Sequence, residues 1–239
     1  MNILKRIKRR ILGYTSKEVI NELVNGGARI GKGVVFFDIN ATVIDKTRPW
    51  LLSIGDYTKI TRGCVILTHD YSLSVLRRKY GVWIGEGAET SIGKNCFIGM
   101  NSIILMGTQI GDNVIVGAGS VVHGIIPSNV VVAGNPARII YTLDEYYKKR
   151  TARTVNEAKE CAKIYYKRFG EFPSPECMSR FKFILFERDR RFLEDNNISF
   201  SCNGDESEEV ERMFYSTEPL WKNYNEFLDD VKKEMDIVD

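Results

Sequence analysis

The most regular feature of the chain is an apolar residue at every sixth position. From residue 92 it reads IGKNCF, IGMNSI, ILMGTQ, IGDNVI and VGAGSV, so Ile92, Ile98, Ile104, Ile110, Val116 and then Val122 open successive hexads. The fifth position is small or β-branched throughout: Cys96, Ser102, Thr108, Val114, Ser120. The second is glycine at Gly93, Gly99, Gly111 and Gly117, with Leu105 the exception. An earlier array, IGKGVV from Ile30 and then IGDYTK, ITRGCV and ILTHDY from Ile54, Ile60 and Ile66, keeps the same internal phase. A helix repeats its apolar positions near 3.6 residues and a strand near 2; neither gives six. Six residues per flat face make a three-sided coil whose first and fifth positions point into a narrow triangular interior. Stacked coils then pair backbone to backbone about 4.8 Å apart. Glycine at the second position is expected to serve corners with φ > 0. The spacing thus predicts a mainly β hexapeptide solenoid over residues 28–140.

The phase slips by two residues between Ile84 and Ile92, across GEGAETS, and the chain leaves the coil between Asp70 and Val82. A protruding loop over residues 70–82 is expected on one corner, where chemistry tends to sit on a rigid scaffold. Residues 1–27 read as helical pieces capping the open end of the solenoid. Ile3, Ile7 and Ile11 share one face, with Lys5, Arg6, Lys8, Arg9 and Arg10 elsewhere, so contact with an anionic membrane surface is the alternative. Past residue 140 the period vanishes, and residues 141–239 read as a C-terminal α-helical module. One helix is expected between an N-cap at Thr154 and a stop at Gly170, a second after Pro175 through Asp195, and a third after Pro219. The aromatics at helical spacing read as its core, with recognition of the acceptor or a partner protein as the alternative.

Composition marks the same boundary. Eighteen of the 20 glycines precede residue 141, whereas most aromatics follow it, and the net charge of +3 divides into a basic first part and an acidic second. No apolar run approaches the roughly 18 residues needed to span a bilayer. The start lacks the uninterrupted apolar core of an export signal. The five cysteines have no metal-type spacing and fit reduced thiols, hence a cytoplasmic protein.

Of the two histidines, His69 carries the candidate chemistry, and His123 in VHGIIP alone says little. His69, in ILTHDYS, falls at position four, expected to point outward just where the chain leaves the coil. An imidazole there can act as general base at neutral pH or be a plain surface side chain. Asp70 is a candidate to orient its ring. Arg77 and Arg78, with Lys79, could meet a nucleotide-sugar diphosphate or an anionic glycan, or be a solvated charge run. Two histidines do not readily supply the three imidazoles of a carbonic-anhydrase-type zinc site, so no metal is expected.

The run NCFIGMNSIILMGTQIGDNVIVGAGSVV, continued by IPSNVVVAGNPARII, resembles the closing coils of the hexapeptide-repeat acetyltransferases. These include galactoside, maltose and streptogramin acetyltransferases and sugar O-acetyltransferases of bacterial surface polysaccharides. NATVIDKTRPWLLSIGDYTKITRGCVILTHDYS is similar to the coils that carry the acceptor site in that family. The resemblance covers about residues 28–141. It implies a left-handed parallel β-helix and a homotrimer with active sites between neighbouring prisms. Acetyl-coenzyme A would be the donor, with direct transfer to an acceptor and His69 as the base. It places Asn40 at the acceptor sugar. Along the cofactor it places Phe97 (where the family has Trp), Met100, the main chain of Gly117, Ala118 and Gly119, His123 (where the family has Thr) and Arg138 near the adenosine phosphates. The expected activity is O-acetylation of a sugar, nucleotide-sugar or oligosaccharide during capsule, O-antigen or exopolysaccharide assembly, with no nucleic-acid partner. N-acetylation of a nucleotide-linked amino sugar and a non-catalytic scaffold are the alternatives.

Overall fold

The structure, a computed structural model, describes residues 13–200 and 207–237, so the basic N-terminal stretch and Cys202 lie outside the described residues. The chain divides into two compact units at Tyr146/Tyr147.

The first unit opens with α1 (Ser16–Asn25), which is built by its ends. Thr15 and Glu18 form a reciprocal capping box, and Val19 and Leu23 bury one face against the hydrophobic core that follows. Short strands then succeed one another: β1 (Arg29–Ile30), β2 (Val35–Phe36), β3 (Val43–Ile44), β4 (Leu52–Ile54), β5 (Lys59–Ile60) and β6 (Val65–Ile66). After a long insertion come β7 (Thr90–Ile92), β8 (Phe97–Ile98), β9 (Ile103–Ile104), β10 (Gln109–Ile110), β11 (Ile115–Val116), β12 (Val121–Val122) and β13 (Ile125–Ile126). β14 (Val130–Gly134) and β15 (Ala137–Thr142) close the series. Consecutive strands enter three different sheets in rotation: β1-β4-β7-β10-β13, β2-β5-β8-β11-β14-β15 and β3-β6-β9-β12. They are called here the first, second and third sheets. All pairings are parallel except β14 with β15.

Register explains the six-residue period. Ile30, Ile54, Ile92, Ile110 and Ile126 lie directly opposite one another in the first sheet, and Ile44, Ile66, Ile104 and Val122 in the third. The hexad-opening residues from Ile92 to Val122 are all buried, as are the fifth-position residues from Cys96 to Ser120. Each fully buried isoleucine or valine contributes about 1.5–3 kcal/mol. Several buried hydroxyls donate to carbonyls of neighbouring coils, as with Thr58 on Gly93 O at 2.8 Å and Ser102 on Gly117 O at 3.0 Å.

The glycines correct one expectation. Position two does not carry the left-handed backbone; position four does, at Asn95, Asn101, Gly107, Asn113 and Gly119. Position-two glycines are required by stacking. A Cβ on Gly93 would lie 2.4 Å from Gly111 O, and one on Gly99 would lie 2.6 Å from both Ala118 N and Val116 O.

The insertion is also larger than the 70–82 loop read from the phase. It contains α2 (Leu73–Tyr80), closed by Gly81 in the left-handed region, and regular pairing resumes only at Thr90. Ile84, read as a coil position, is exposed.

The second unit begins within α3 (Leu143–Phe169), which starts directly after β15 rather than at Thr154. Thr154 lies inside this helix, its hydroxyl turned back to Arg150 O, while Gly170 does end it. The segment after Pro175 is not one helix. It breaks into α4 (Lys182–Leu185) and α5 (Arg190–Asp195), with Asp189 capping the latter. Next come α6 (Ser207–Tyr215), absent from the sequence expectation, and α7 (Tyr224–Glu234), capped by Asn223. The aromatics form this unit's core, with Phe186, Phe214 and Phe227 fully buried. Lys159 pairs with Asp230 and Glu234 at 2.7 Å, tying α3 to α7. No described helix is long and apolar enough to cross a membrane.

Candidate active site

The corner between the third and first sheets is where the insertion leaves. β3 and β6 are paired there, Ile44 opposite Ile66, and Asp45 N donates to Ile66 O at 3.0 Å. Asp45 is thereby stacked one coil ahead of Leu67–His69. After Ile66 the chain cuts the corner short: Thr68, not position five, turns into the interior, and His69 follows it. The expected outward projection of His69 is corrected accordingly, since its side chain is only 12% exposed.

Asp45 collects donors from both coils. Its Oδ1 accepts the Thr47 N–H at 2.9 Å and the Thr47 hydroxyl at 2.7 Å. Its Oδ2 accepts the Thr68 N–H at 3.2 Å, the Thr68 hydroxyl and His69 Nδ1. Burial pushes the Asp45 carboxyl upward, but the hydrogen bonds from Thr68, Thr47 and His69 together outweigh it and hold the group well below the usual carboxylate range. A carboxylate on Nδ1 fixes the tautomer with its proton on that nitrogen. The Nε2 lone pair is left for another proton, and Nε2 has no protein partner among the described residues. The Tyr71 ring stands edge-on to the imidazole, centroids 4.3 Å apart.

Asp70 does not orient the ring. Its carboxylate accepts the Ser72 N–H and hydroxyl, both at 2.7 Å, and these bonds hold it below its ordinary range. The insertion's return limb is fastened beside it. The Glu86 carboxylate accepts the Asp70 N–H, Arg48 donates to Glu86 O, and Ala88 N donates to Thr68 O at 3.2 Å. Arg77 lies over the Trp83 ring at 4.7 Å, and Arg78 is exposed on α2.

Asn40 has an occupant already: its amide takes the Tyr14 N–H at 2.7 Å and donates to Tyr14 O at 3.0 Å, pinning the entry to α1. The cofactor candidates divide. Phe97 opens β8 as an exposed outward residue of the second sheet, Met100 is exposed at the corner between the second and third sheets, and Gly117–Gly119 stack on that corner one coil later. Gly117 N donates to Val132 O and Gly119 N to Met100 O, whereas the exposed Ala118 N–H has no partner among the described residues. His123 is not with them. It follows β12, at the His69 corner two coils on, and is exposed. Arg138 is exposed on β15 and donates to Ala137 O.

Asp45 was missed in the sequence because the repeat is out of phase there. Phe36 to Ile44 spans eight residues and Ile44 to Ile54 ten, so no hexad count reaches it. Aligning VID at 43–45 with VIL at 65–67 is the signal that finds it.

Residues 89–123 match the model of the hexapeptide repeat of succinyl-transferase. Protein CapG of Staphylococcus aureus is 39% identical over 146 residues, which cover 61% of this chain and 80% of CapG. The chain belongs to the hexapeptide-repeat acetyltransferase family and is an acyltransferase. The galactoside O-acetyltransferase of Escherichia coli K12 is 34% identical over 128 residues, 52% of this chain and 61% of that one. WbbJ of the same organism, named for lipopolysaccharide biosynthesis O-acetyl transfer, is 36% identical over 120 residues, 46% of this chain and 61% of its own. A serine acetyltransferase from Brucella abortus solved with coenzyme A is 28% identical with a TM-score of 0.39 over 48% of this chain and 40% of that one, an overlap too small to carry an argument.

Proposed function

We propose that the protein transfers an acetyl group from acetyl-coenzyme A to a sugar hydroxyl in surface-polysaccharide biosynthesis, on a left-handed β-helix, with His69 as general base. The observation that carries this is the Asp45–His69 pair, which leaves Nε2 as a proton acceptor on a corner of the coil. Nε2 takes the acceptor's hydroxyl proton as that oxygen attacks the thioester carbonyl. The imidazolium, stabilised by Asp45, then returns the proton to the departing sulfur. A thioester is already activated, so one base and accurate placement suffice. The Ala118 N–H is a fitting donor for a pantetheine carbonyl, with Phe97 and Met100 flanking it.

His69 and the Ala118 group lie on the two different corners that bound the third sheet. The outward residues of that sheet are all apolar, Val43, Val65, Ile103 and Val121, whereas the first sheet presents Arg29, Ser53, Ser91 and Gln109 before Ile125. A homotrimer with the third sheets facing its axis would bring one copy's His69 corner to the next copy's Ala118 corner, completing each site between two chains.

The names of WbbJ and the galactoside enzyme favour oxygen over nitrogen as acceptor atom. The test is the product. Labelled acetyl-coenzyme A with deacetylated surface glycan from the encoding cells should yield an alkali-labile ester; an alkali-stable amide would overturn O-transfer.

A further inference from the structure

The insertion displays large side chains that nothing in the unit covers. Tyr71 is 73% exposed although its ring touches His69, and Trp83 is 86% exposed. α2 has no buried residue at all. Trp83 is nevertheless not loosely hung. Gly81, at φ 68° with its N–H on Arg77 O at 2.9 Å, turns the chain back so that Arg77 lies against one indole face. That stack leaves the other face to solvent and restricts the rotamers the ring can lose on binding. The limb that carries Trp83 is tied back to the base through Glu86 and the Asp70 N–H. One aromatic ring therefore stands at the base and a second, pre-set ring stands out along the same arm.

We propose that Tyr71 and Trp83 are specificity-determining residues that stack on successive sugar rings of the acceptor, which is an extended glycan rather than a single sugar or a sugar nucleotide. This rests on the sugar-hydroxyl assignment above. The axial C–H faces of pyranose rings are apolar patches framed by hydroxyls, the complement of an exposed aromatic face. Tyr71 holds the ring that presents its hydroxyl to Nε2, and Trp83 holds a ring further along the chain. A single sugar reaches only the first.

The experiment uses surface glycan from the encoding cells, deacetylated with mild alkali and cut with acid into single-repeat and multi-repeat fragments, with acetyl transfer followed on the full-length protein. In the wild type, KM for multi-repeat fragments should be several-fold below that for single repeats. Trp83→Ala should raise KM for the long fragments about three- to tenfold, leave short-fragment KM and both kcat values within twofold, and sediment like the wild type. Tyr71→Ala should raise KM for both lengths, with Tyr71→Phe restoring it. Absence of a length preference in the wild type, or its persistence in Trp83→Ala, overturns the proposal. So does a change in sedimentation of Trp83→Ala, which would make the arm a contact between copies. A wild type that acetylates no glycan fragment removes the sugar assignment itself, a failure recognisable because it precedes any variant.

Discussion

Asp45 stands 24 residues ahead of His69 in sequence and one coil away in space, and its Oδ2 meets the imidazole Nδ1. The pair exists because two strands of identical opening, VI at 43 and VI at 65, are in register in the third sheet. The expected consequence is a graded loss of rate. Asp45→Asn keeps the shape but removes the charge facing Nδ1. A hydrogen bond to a charged group is worth about 1.5–3 kcal/mol, so kcat should fall roughly ten- to a hundredfold while KM for acetyl-coenzyme A stays within twofold. Steady-state kinetics on the two variants Asp45→Asn and Asp45→Ala checks this.

The same carboxylate makes an acid limb in stability. Its folded value lies below the ordinary 3.8, so above that pH both folded and unfolded chains carry the charge and the contribution is constant. As pH drops below the ordinary value, the unfolded chain binds the proton first, and stability declines until the folded value is passed. Denaturant melts of the first unit between pH 2 and 6 should show a shallower acid decline in Asp45→Asn than in the wild type, and matching curves would contradict it.

Glycines of the two kinds should respond in opposite ways. Gly93→Ala places a Cβ within 2.4 Å of a backbone carbonyl in the next coil and should destabilise the first unit by about 1–3 kcal/mol or more. Gly107 has φ 78° and only the Ala88 Cβ nearby, at 3.4 Å, in a position where Asn95 and Asn113 stand in other coils. Gly107→Asn should therefore change stability by less than about 1 kcal/mol. Thermal unfolding of both variants decides.

In the second unit Arg188 lies over the Phe214 ring at 4.0 Å and donates to Thr217 O and to the Thr217 hydroxyl at 2.9 and 3.0 Å. Desolvation lowers its affinity for the proton. Arg188→Ala should destabilise the helical unit by about 2 kcal/mol, through lost packing as well as lost hydrogen bonds. The melting of the first unit should stay unchanged, as separate transitions in calorimetry would show.

The repeat was legible in the sequence because each hexad from Ile92 onward buries the same two positions, so periodicity reports burial directly. The role of its glycines was not, since a residue without a side chain looks alike whether it permits φ > 0 or permits contact with the coil above. His69 could be found from its motif, but its partner could not: residues 37–51 depart from the six-residue count, and Asp45 is brought to it by sheet register alone. Asp70, the near neighbour in sequence, turned instead to Ser72. Of the second unit's helices, α3 and α7 were visible as apolar spacing, α6 was not, and limits were set by caps such as Asp189 and Asn223 that composition does not single out.

The central claim is that Nε2 of His69 removes the acceptor proton. The most direct measurement is the single-turnover rate of acetyl transfer to deacetylated glycan in wild type and His69→Ala, with coenzyme A affinity measured on the same samples. A fall of about 10²- to 10⁴-fold in rate at unchanged affinity is predicted; transfer by His69→Ala at the wild-type rate would contradict the account.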